Sequence, residues 1–317
     1  MTHIAILDDY QDVALGMAEW SRLPPGCRTV PFAAPFAGID DCAGALADFD
    51  VIVAMRERTP FPRALLERLP KLRLLVTTGM RNGAIDLAAA KALGITVCGT
   101  EGLSYPTAEL AWGLILSLLR RIPDEQRALR EGRWQTTLGT GLNGKTLGVL
   151  GLGTLGSRVA RVGKAFGMEV LAWSQNLTAE RARAADATLV DRDELLRRSD
   201  VVSIHLVLGE RTRGLVAERE LRLMKPTAYL VNTSRAPIVD EAALVDALHR
   251  RAIAGAGLDV YGREPLPPDH PLLGAPNTVL TPHLGYVTEE TYRVFYGQAL
   301  EDIEGFLNAR PLRVLQG

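Results

Sequence analysis

Residues 146–174 read TLGVLGLGTLGSRVARVGKAFGMEVLAWS, and this stretch decides the fold. An apolar run at Leu147–Leu150 predicts a strand, and three glycines in GxGxxG spacing follow it. A helical pattern over Leu155–Phe166 and a second apolar run over Glu169–Trp173 complete a strand–helix–strand unit. A glycine-rich turn in any α/β protein is the alternative, but this order of elements favours a dinucleotide-binding loop.

Each part of this loop has a predicted task toward a pyrophosphate. The first glycine, Gly151, makes the tight turn, Gly153 lets the phosphates approach the backbone, and Gly156 allows close packing of helix on strand. The amino terminus of the helix adds N–H groups and a partial positive charge.

The end of the second strand departs from the usual dinucleotide pattern. An Asp or Glu is expected there, where it accepts a hydrogen bond from the 2′-hydroxyl of the adenosine ribose. This chain has the uncharged Ser174 instead. Because no carboxylate repels a 2′-phosphate, we expect NADP(H) to be favoured, with NAD(H) as the alternative.

Short apolar runs alternate with helical patterns outside this unit as well. Such alternation predicts parallel sheets covered by helices. The fold class is therefore α/β, with two doubly wound parallel-sheet domains: a Rossmann cofactor domain inserted into a flavodoxin-like substrate domain. We expect residues 1–101 and 285–317 to form the discontinuous substrate domain and residues 102–284 the cofactor domain, because the last helical pattern, Glu289–Leu307, follows the second series of strands.

Composition excludes several classes of function. The chain carries 36 Lys and Arg against 37 Asp and Glu, so it has no basic excess for nucleic acid. The apolar stretch Leu110–Leu119 is too short to cross a bilayer, and the amino terminus does not read as a signal peptide. The three cysteines lack the spacing of a zinc site or disulfide framework. We expect a cytoplasmic protein without a metal site.

Three further segments, LVNTSRAPIVD, GLDVYGREPL and TVLTPHLGY, each end a predicted strand of the second domain. They place Arg235, Glu264 and His283 at the sheet edge where ligands of such folds bind. Arg binds a carboxylate and polarises the neighbouring carbonyl, while His exchanges a proton and Glu orients the imidazole. Taken singly, the Arg could be solvated, the Glu could end an element and the His could cap one.

The chain resembles the D-isomer-specific 2-hydroxyacid dehydrogenase family, which includes glyoxylate and hydroxypyruvate reductases. The resemblance covers nearly the whole chain and is carried by KTLGVLGLGTLG, LVNTSRAPIVDEAAL, AGAGLDVYGREPL and TPHLGYVTEE. It implies an enzyme that transfers a hydride between a nicotinamide cofactor and a small 2-oxo acid or D-2-hydroxy acid. It also implies a homodimer through the helix Pro106–Arg121 and the arm that follows it.

The resemblance also implies roles for individual residues. Arg235 would bind substrate, Glu264 would partner the histidine, and His283 would be the acid or base. Two groups are carried over as well: Thr154, Leu155, Ser174, Thr212, Thr233 and Asp259 along the cofactor, and Thr78 and Gly79 as backbone donors to the substrate carboxylate. Ala236 departs from the glycine usual in the family.

Arg56 is a further candidate, because the strand Val51–Ala54 delivers it at a carboxyl end beside Thr78 and Gly79. A second guanidinium there would suit a polar or anionic group at the distal end of the substrate, or it could pair with Glu57. Two other functions stay open at this point. One is reduction of 2-imino acids on the same site, and the other is a dinucleotide-sensing, corepressor-like binding protein.

Overall fold

The computed structural model describes residues 1–316, and its contacts divide the chain into two units. One unit comprises Met1–Leu103 and Val287–Gly317, and the other is Ser104–Tyr286. The sequence-based division places its breaks after residue 101 and before residue 285, and residue 317 lies outside the described part of the chain.

The discontinuous unit is built on a five-stranded parallel sheet in the order β2-β1-β3-β4-β5. This order is that of flavodoxin-like sheets. The strands are β1 (Thr2–Ile6), β2 (Cys27–Pro31), β3 (Val51–Ala54), β4 (Leu74–Thr77) and β5 (Thr96–Gly99). Its helices are α1 (Ile39–Leu46), α2 (Arg63–Leu66), α3 (Leu87–Ala92) and, after the other unit, α12 (Glu289–Leu307).

The continuous unit is built on a seven-stranded parallel sheet in the order β12-β11-β10-β9-β6-β7-β8. Its strands are β6 (Thr146–Leu150), β7 (Glu169–Trp173), β8 (Thr188–Leu189), β9 (Val201–Ile204), β10 (Tyr229–Asn232), β11 (Gly255–Leu258) and β12 (Thr278–Leu280). Its helices are α4 (Pro106–Leu119), α5 (Ile122–Arg130), α6 (Thr154–Ala165), α7 (Ala179–Ala184), α8 (Arg192–Arg198), α9 (Glu218–Leu223), α10 (Glu241–His249) and α11 (Pro271–Gly274).

The strand order in this second sheet reverses between β6 and β9, which is the point where dinucleotides bind in Rossmann sheets. One apolar core includes Trp112 and Ile115 of α4 and Val159 of α6. Another includes Leu221 of α9 and Leu244 of α10. Both cores contain residues of the sheet, so helices cover it as predicted. The prediction of two doubly wound parallel sheets is confirmed.

The helix α4 is apolar because its own unit buries it. Eight of its residues are buried, among them Trp112, Leu114 and Leu118. Its hydrophobic content therefore needs no partner chain to explain it. The following helix, α5, begins at Ile122, because Arg121 adopts a left-handed conformation and Pro123 suits a first helical turn.

Two strands were absent from the sequence-based assignment. β2 reads CRTVP, is only partly buried, and lies at the edge of its sheet. β8 contains only Thr188 and Leu189. Neither has the apolar run on which a buried strand is recognised.

No helix within residues 1–316 is both long enough and apolar enough to cross a bilayer.

Candidate functional site

The turn after β6 requires glycine at its first position for steric reasons. Gly151 has φ +100°, and a Cβ there would lie 2.7 Å from the carbonyl oxygen of His205. Its N–H donates to Trp173 O at 2.8 Å, which ties the loop to the end of β7. The loop therefore lies between the ends of β7 and β9, at the point where the strand order reverses.

The other two glycines of the loop have different surroundings. A Cβ on Gly156 would lie 2.0 Å from Gly151 O, so helix α6 packs directly on the turn. By contrast, a Cβ on Gly153 would meet no atom of residues 1–316 within 4 Å. The three positions match the turn, close-packing and phosphate-approach roles of a dinucleotide loop.

The first turn of α6 is suited to an anion. Gly153 is its N-cap, so no side chain caps the helix there, and no acidic residue lies in its first turn. Helices α3, α7, α8, α10 and α12 instead begin at an Asp or Thr whose side chain accepts a first-turn N–H. The orphan N–H groups of α6 are the kind that phosphates bind.

The side-chain hydroxyl of Thr233 gives a second observation, separate from the glycine loop, that bears on a bound ligand. It follows β10, is 6% exposed, and its Oγ1 is buried without a hydrogen-bond partner among the described residues. A buried hydroxyl left unbonded is costly unless a ligand satisfies it. Together with the open space at Gly153, this hydroxyl fits a bound nicotinamide dinucleotide.

Two residues that the family resemblance assigns to the cofactor are engaged within the chain. Thr212 Oγ1 donates to Val207 O at 2.7 Å and accepts from Gly209 N at 2.9 Å, which closes its own turn. Asp259 is fully buried and accepts bonds from Thr281 Oγ1, Leu284 N and Gly285 N at 2.6, 2.7 and 2.8 Å. These contacts make Asp259 the anchor of the loop that carries His283.

Burial raises the pKa of the Asp259 carboxyl above its ordinary value, while the hydrogen bond from Thr281 opposes that rise. The two backbone donors from the same loop also oppose it. The loop therefore offsets part of the cost of burying the charged form of this acid.

His283 and Glu264 form a close pair at this sheet edge. The imidazole Nδ1 lies 2.6 Å from Glu264 Oε2, and both side chains are about four-fifths buried, with 18% and 22% exposed. With Nδ1 committed to the carboxylate, Nε2 is the ring nitrogen that can exchange a proton with a substrate. The ring also contacts Tyr286 edge-on, with centroids 5.5 Å apart.

The backbone fixes both members of this pair. Glu264 Oε1 accepts the N–H of Tyr261 at 3.0 Å, and the Tyr261 hydroxyl donates to Thr281 O at 2.9 Å. His283 itself has φ +55°, a strained conformation for a residue with a side chain. The sequence analysis missed the role of Tyr261, since a backbone donor leaves no signal in residue type.

Arg235 lies on the neighbouring loop, which Asn232 holds. The Asn232 side chain accepts from Ser234 N at 3.0 Å and donates to Arg235 O at 3.1 Å. The Arg235 guanidinium is half-buried, and its Nη1 donates to Ser234 O at 2.9 Å. Ala236 begins a 3₁₀ turn, a conformation open to any L residue, so the Cβ that replaces the usual glycine causes no backbone strain.

His205 directly follows β9. Its Nε2 lies 2.8 Å from Ser203 Oγ, and burial lowers the pKa of the imidazole to about 4. Its carbonyl instead contacts the phosphate loop, as described above.

In the discontinuous unit, the structure brings Arg56, Thr78 and Gly79 together. The N–H of Arg56 donates to Thr78 Oγ1 at 2.9 Å, and a Cβ on Gly79 would lie 2.2 Å from Arg56 Nη1. The N–H groups of Thr78 and Gly79 donate to Ala54 O at 3.0 Å and Thr100 Oγ1 at 3.0 Å. A substrate carboxylate would therefore have to compete with these bonds.

The surroundings of Arg56 bear on its predicted role. Its Nε lies 3.9 Å from Glu57 Oε2, and its side chain is 25% exposed. The contact with Glu57 is long, whereas the guanidinium packs closely on Gly79.

Within residues 1–316, no group of three or more His, Cys, Asp or Glu could hold a metal ion.

Comparisons with known proteins agree with this geometry. The model of the D-isomer specific 2-hydroxyacid dehydrogenase NAD-binding domain matches residues 112–285. Glyoxylate reductase of Aeropyrum pernix is 43% identical over 256 residues, which cover 78% of this chain and 76% of that protein. Hydroxypyruvate reductase of Blautia hydrogenotrophica is 31% identical over 326 residues, with coverage of 98% and 99%.

A solved structure extends the similarity to the whole fold. Phosphoglycerate oxidoreductase from Vibrio cholerae O395 is 36% identical, with a TM-score of 0.93 over 98% of this chain and all of that chain. The fold and the dinucleotide loop define a nicotinamide-dependent oxidoreductase. The chain belongs to the D-isomer specific 2-hydroxyacid dehydrogenase family, which confirms the predicted family and enzyme class.

The glycine loop generates a prediction with an internal control. We expect Gly156→Ala to destabilise the protein by about 1–3 kcal/mol, because the added Cβ overlaps the Gly151 carbonyl. Gly153→Ala should leave stability within about 0.5 kcal/mol but weaken dinucleotide binding about tenfold or more, since its Cβ fills the phosphate's space. Urea unfolding and fluorescence titration measure the two effects. Equal stability of both variants would contradict the assigned packing.

Proposed function

We propose that this enzyme reduces a small 2-oxo acid to the D-2-hydroxy acid, with His283 as the acid or base. The observation that carries the proposal is the 2.6 Å contact between His283 Nδ1 and Glu264 Oε2 on a loop that Asp259 anchors. The bound nicotinamide would supply the hydride. His283 would deliver the proton to the substrate oxygen from Nε2, and Glu264 would stabilise the charged imidazole.

Arg235 has the chemistry for the other end of the reacting centre. A guanidinium presents paired N–H donors that match a carboxylate, and it polarises a neighbouring carbonyl. Asn232 holds the backbone of its loop. The position of Arg235 shortly after β10 supports a role next to the nicotinamide, because the Thr233 hydroxyl of the same loop has no hydrogen-bond partner within residues 1–316.

The proton relay gives the test of this function. His283→Ala should lower turnover by roughly 10² to 10⁴, the usual contribution of general acid–base catalysis, without weakening dinucleotide binding. Glu264→Gln should cause a smaller loss, because the amide keeps a hydrogen-bond partner but removes the charge. Absorbance of NADPH and NADH at steady state, with glyoxylate, hydroxypyruvate and pyruvate, measures turnover.

His249→Ala is the matched control, because His249 is exposed on α10 and bonds only its own helix in the contacts described. It should behave as the parent enzyme. Wild-type turnover by His283→Ala on every substrate would reject the proposed relay.

We further propose NADP(H) as the preferred cofactor. Ser174 directly follows β7 and is half-buried, with the uncharged Gln175 and Asn176 beside it. A carboxylate at this position would repel a 2′-phosphate, whereas a hydroxyl can donate a hydrogen bond to it.

A substitution that adds one negative charge at position 174 tests this cofactor preference. Ser174→Asp should shift the ratio of kcat/KM for NADPH and NADH toward NADH, because the new carboxylate suits a 2′-hydroxyl and opposes a 2′-phosphate. Ser174→Asn introduces a side chain of the same size as Asp but without its charge, so this variant should keep the cofactor preference of the parent enzyme. A parent enzyme that markedly prefers NADH would overturn the proposal.

The substrate is proposed to carry a polar or anionic group distal to its 2-oxo acid. Arg56 supports this, since it follows β3 and its guanidinium packs on Gly79 beside Thr78. Thr78 and Gly79 shape the site rather than donate free N–H groups, because both already donate within the chain.

A homodimer through α4 and the arm that follows it is proposed, and the arm after α5 gives the most direct support. Trp134 is 77% exposed and Leu138 96% exposed, although the segment between them is held in place. Glu125 accepts bonds from the N–H and the hydroxyl of both Thr136 and Thr137. Hydrogen bonding, with Thr137 first, lowers the pKa of the Glu125 carboxyl. A prearranged apolar arm of this kind fits a second copy of the chain.

The dimer is tested by light scattering at micromolar concentration. The parent should have twice the 34.4 kDa mass of the chain, and Leu138→Asp combined with Trp134→Ala should shift it toward monomer. Leu273→Asp, which alters another exposed leucine, should leave the mass unchanged. A parent of monomer mass would refute the proposal.

A further inference from the structure

The last described residues pair with the edge of the first sheet. Gly99 N donates to Arg313 O at 3.0 Å, and Leu315 N donates to Val97 O at 2.8 Å, which places Val314 antiparallel to Cys98. Because β5 is the terminal strand of its sheet, this pairing covers backbone groups that would otherwise be open. We name residues 312–315 the tail segment.

One side chain of the tail segment turns into the protein. Arg313 has φ +46°, and its Nε donates to Asp302 Oδ1 of α12 at 3.1 Å. Its Nη2 donates to Gln298 O at 2.8 Å and lies 2.9 Å from Glu301 Oε2. These contacts fix the tail segment to α12 by a guanidinium that is only 22% exposed.

Asp302 depends on this guanidinium. It is fully buried, and its Oδ2 has no hydrogen-bond partner among residues 1–316. Burial raises the pKa of its carboxyl to about 7, and Arg313 opposes that rise, while Glu301 adds to it. A buried acid with one cationic partner is destabilised strongly when that partner is removed.

Gly99 connects the tail segment to the loop after β4. A Cβ on Gly99 would lie 2.7 Å from Gly79 O, 3.3 Å from Met80 Cα and 3.3 Å from Leu315 Cδ2. The loop and the tail segment thus both press on the Cα of one glycine.

A chain of hydrogen bonds also connects the tail segment to the loop after β4. Thr100 Oγ1 accepts from Gly79 N and donates to Glu101 O, both at 3.0 Å. Glu101 N donates to Gln298 Oε1 at 2.7 Å, and the carbonyl of Gln298 accepts from Arg313. Steric and polar contacts therefore lead from Arg313 to the same N–H of the loop.

We propose that Arg313 is a positioning residue that sets the conformation of residues 78–82, the substrate loop, through the tail segment and β5. The inference rests on the proposed function in one respect, namely that this loop and Arg56 bind the substrate. Arg313 lies on the tail segment and acts through other residues, so it should affect the KM for the 2-oxo acid more than kcat.

The experiment compares Arg313→Ala with Arg310→Ala, which removes the same charge from an exposed position just before the tail segment. Amide hydrogen exchange of the holoenzyme should show faster exchange at Gly79 and Thr100 in Arg313→Ala alone. The KM for the best 2-oxo acid should rise about tenfold, within the about 10²-fold that a 1 Å misplacement can cost. The dissociation constant of the dinucleotide should not change.

Two further variants keep the proposal testable if Arg313→Ala folds poorly. Arg313→Lys should restore part of the protection, because an ammonium can pair with Asp302 but cannot make the forked contacts. Gly99→Ala should raise KM while it keeps Arg313 and Asp302 in place, since its Cβ overlaps Gly79 O at 2.7 Å and meets Leu315 only at 3.3 Å.

Arg56→Ala separates the proposal from the function on which it rests. Faster exchange in the substrate loop with a raised KM supports the positioning role. Faster exchange with no change in KM, in a protein where Arg56→Ala also leaves KM unchanged, supports the coupling and refutes substrate binding by this loop. Unchanged exchange at Gly79 and Thr100 in Arg313→Ala overturns the proposal.

Discussion

All strands of both described sheets run parallel, and this constraint determines where chemistry can occur. Every strand of a sheet ends at the same edge, so the loops after β6, β10, β11 and β12 must meet there. Those loops carry the glycine turn, Arg235, Glu264 and His283. Parallel strands also require helices on both faces, which leaves the strands nearly all apolar and confines polar groups to their ends. The parallel direction of the strands therefore determines both the fold and the position of the site, because it brings side chains that are far apart in the sequence to one edge of the sheet.

Within that edge, two carboxylates hold one imidazole by different means. Glu264 contacts the ring itself, whereas Asp259 binds the backbone N–H groups of Leu284 and Gly285 just after His283. Asp259 is fully buried, so its bonds have few competitors from water. Tyr261 then fixes Glu264 by its own N–H. An imidazole fixed at both its ring and its backbone requires little reorganisation when charge develops on it.

Sequence patterns predicted the elements that are long or strongly apolar, such as α12, whose bounds Glu289–Leu307 agree with the structure. They also predicted which residue types gather at the edge of the second sheet, because strand ends can be located from apolar runs. They failed for β2, which is a half-buried edge strand, and for the detailed environment of Asp259, Thr78 and Gly79. The partners of those residues come from distant parts of the chain, and no local pattern specifies a hydrogen bond between Gly79 and Thr100.

Both units hold a residue with a side chain in a strained, left-handed backbone conformation. Arg56 and His283 each follow a strand and have φ values of +52° and +55°, which cost about 1–3 kcal/mol at residues other than glycine. Each is held by groups around it: Asn82 donates to Arg56 O at 2.6 Å, and the loop at His283 is bound to Asp259. Gly79 has φ +102°, a conformation that L side chains rarely adopt, and the Arg56 guanidinium lies where its Cβ would be. Because contacts within the chain hold both conformations, ordering them draws little on the free energy of substrate binding, and more of it remains for the reacting groups.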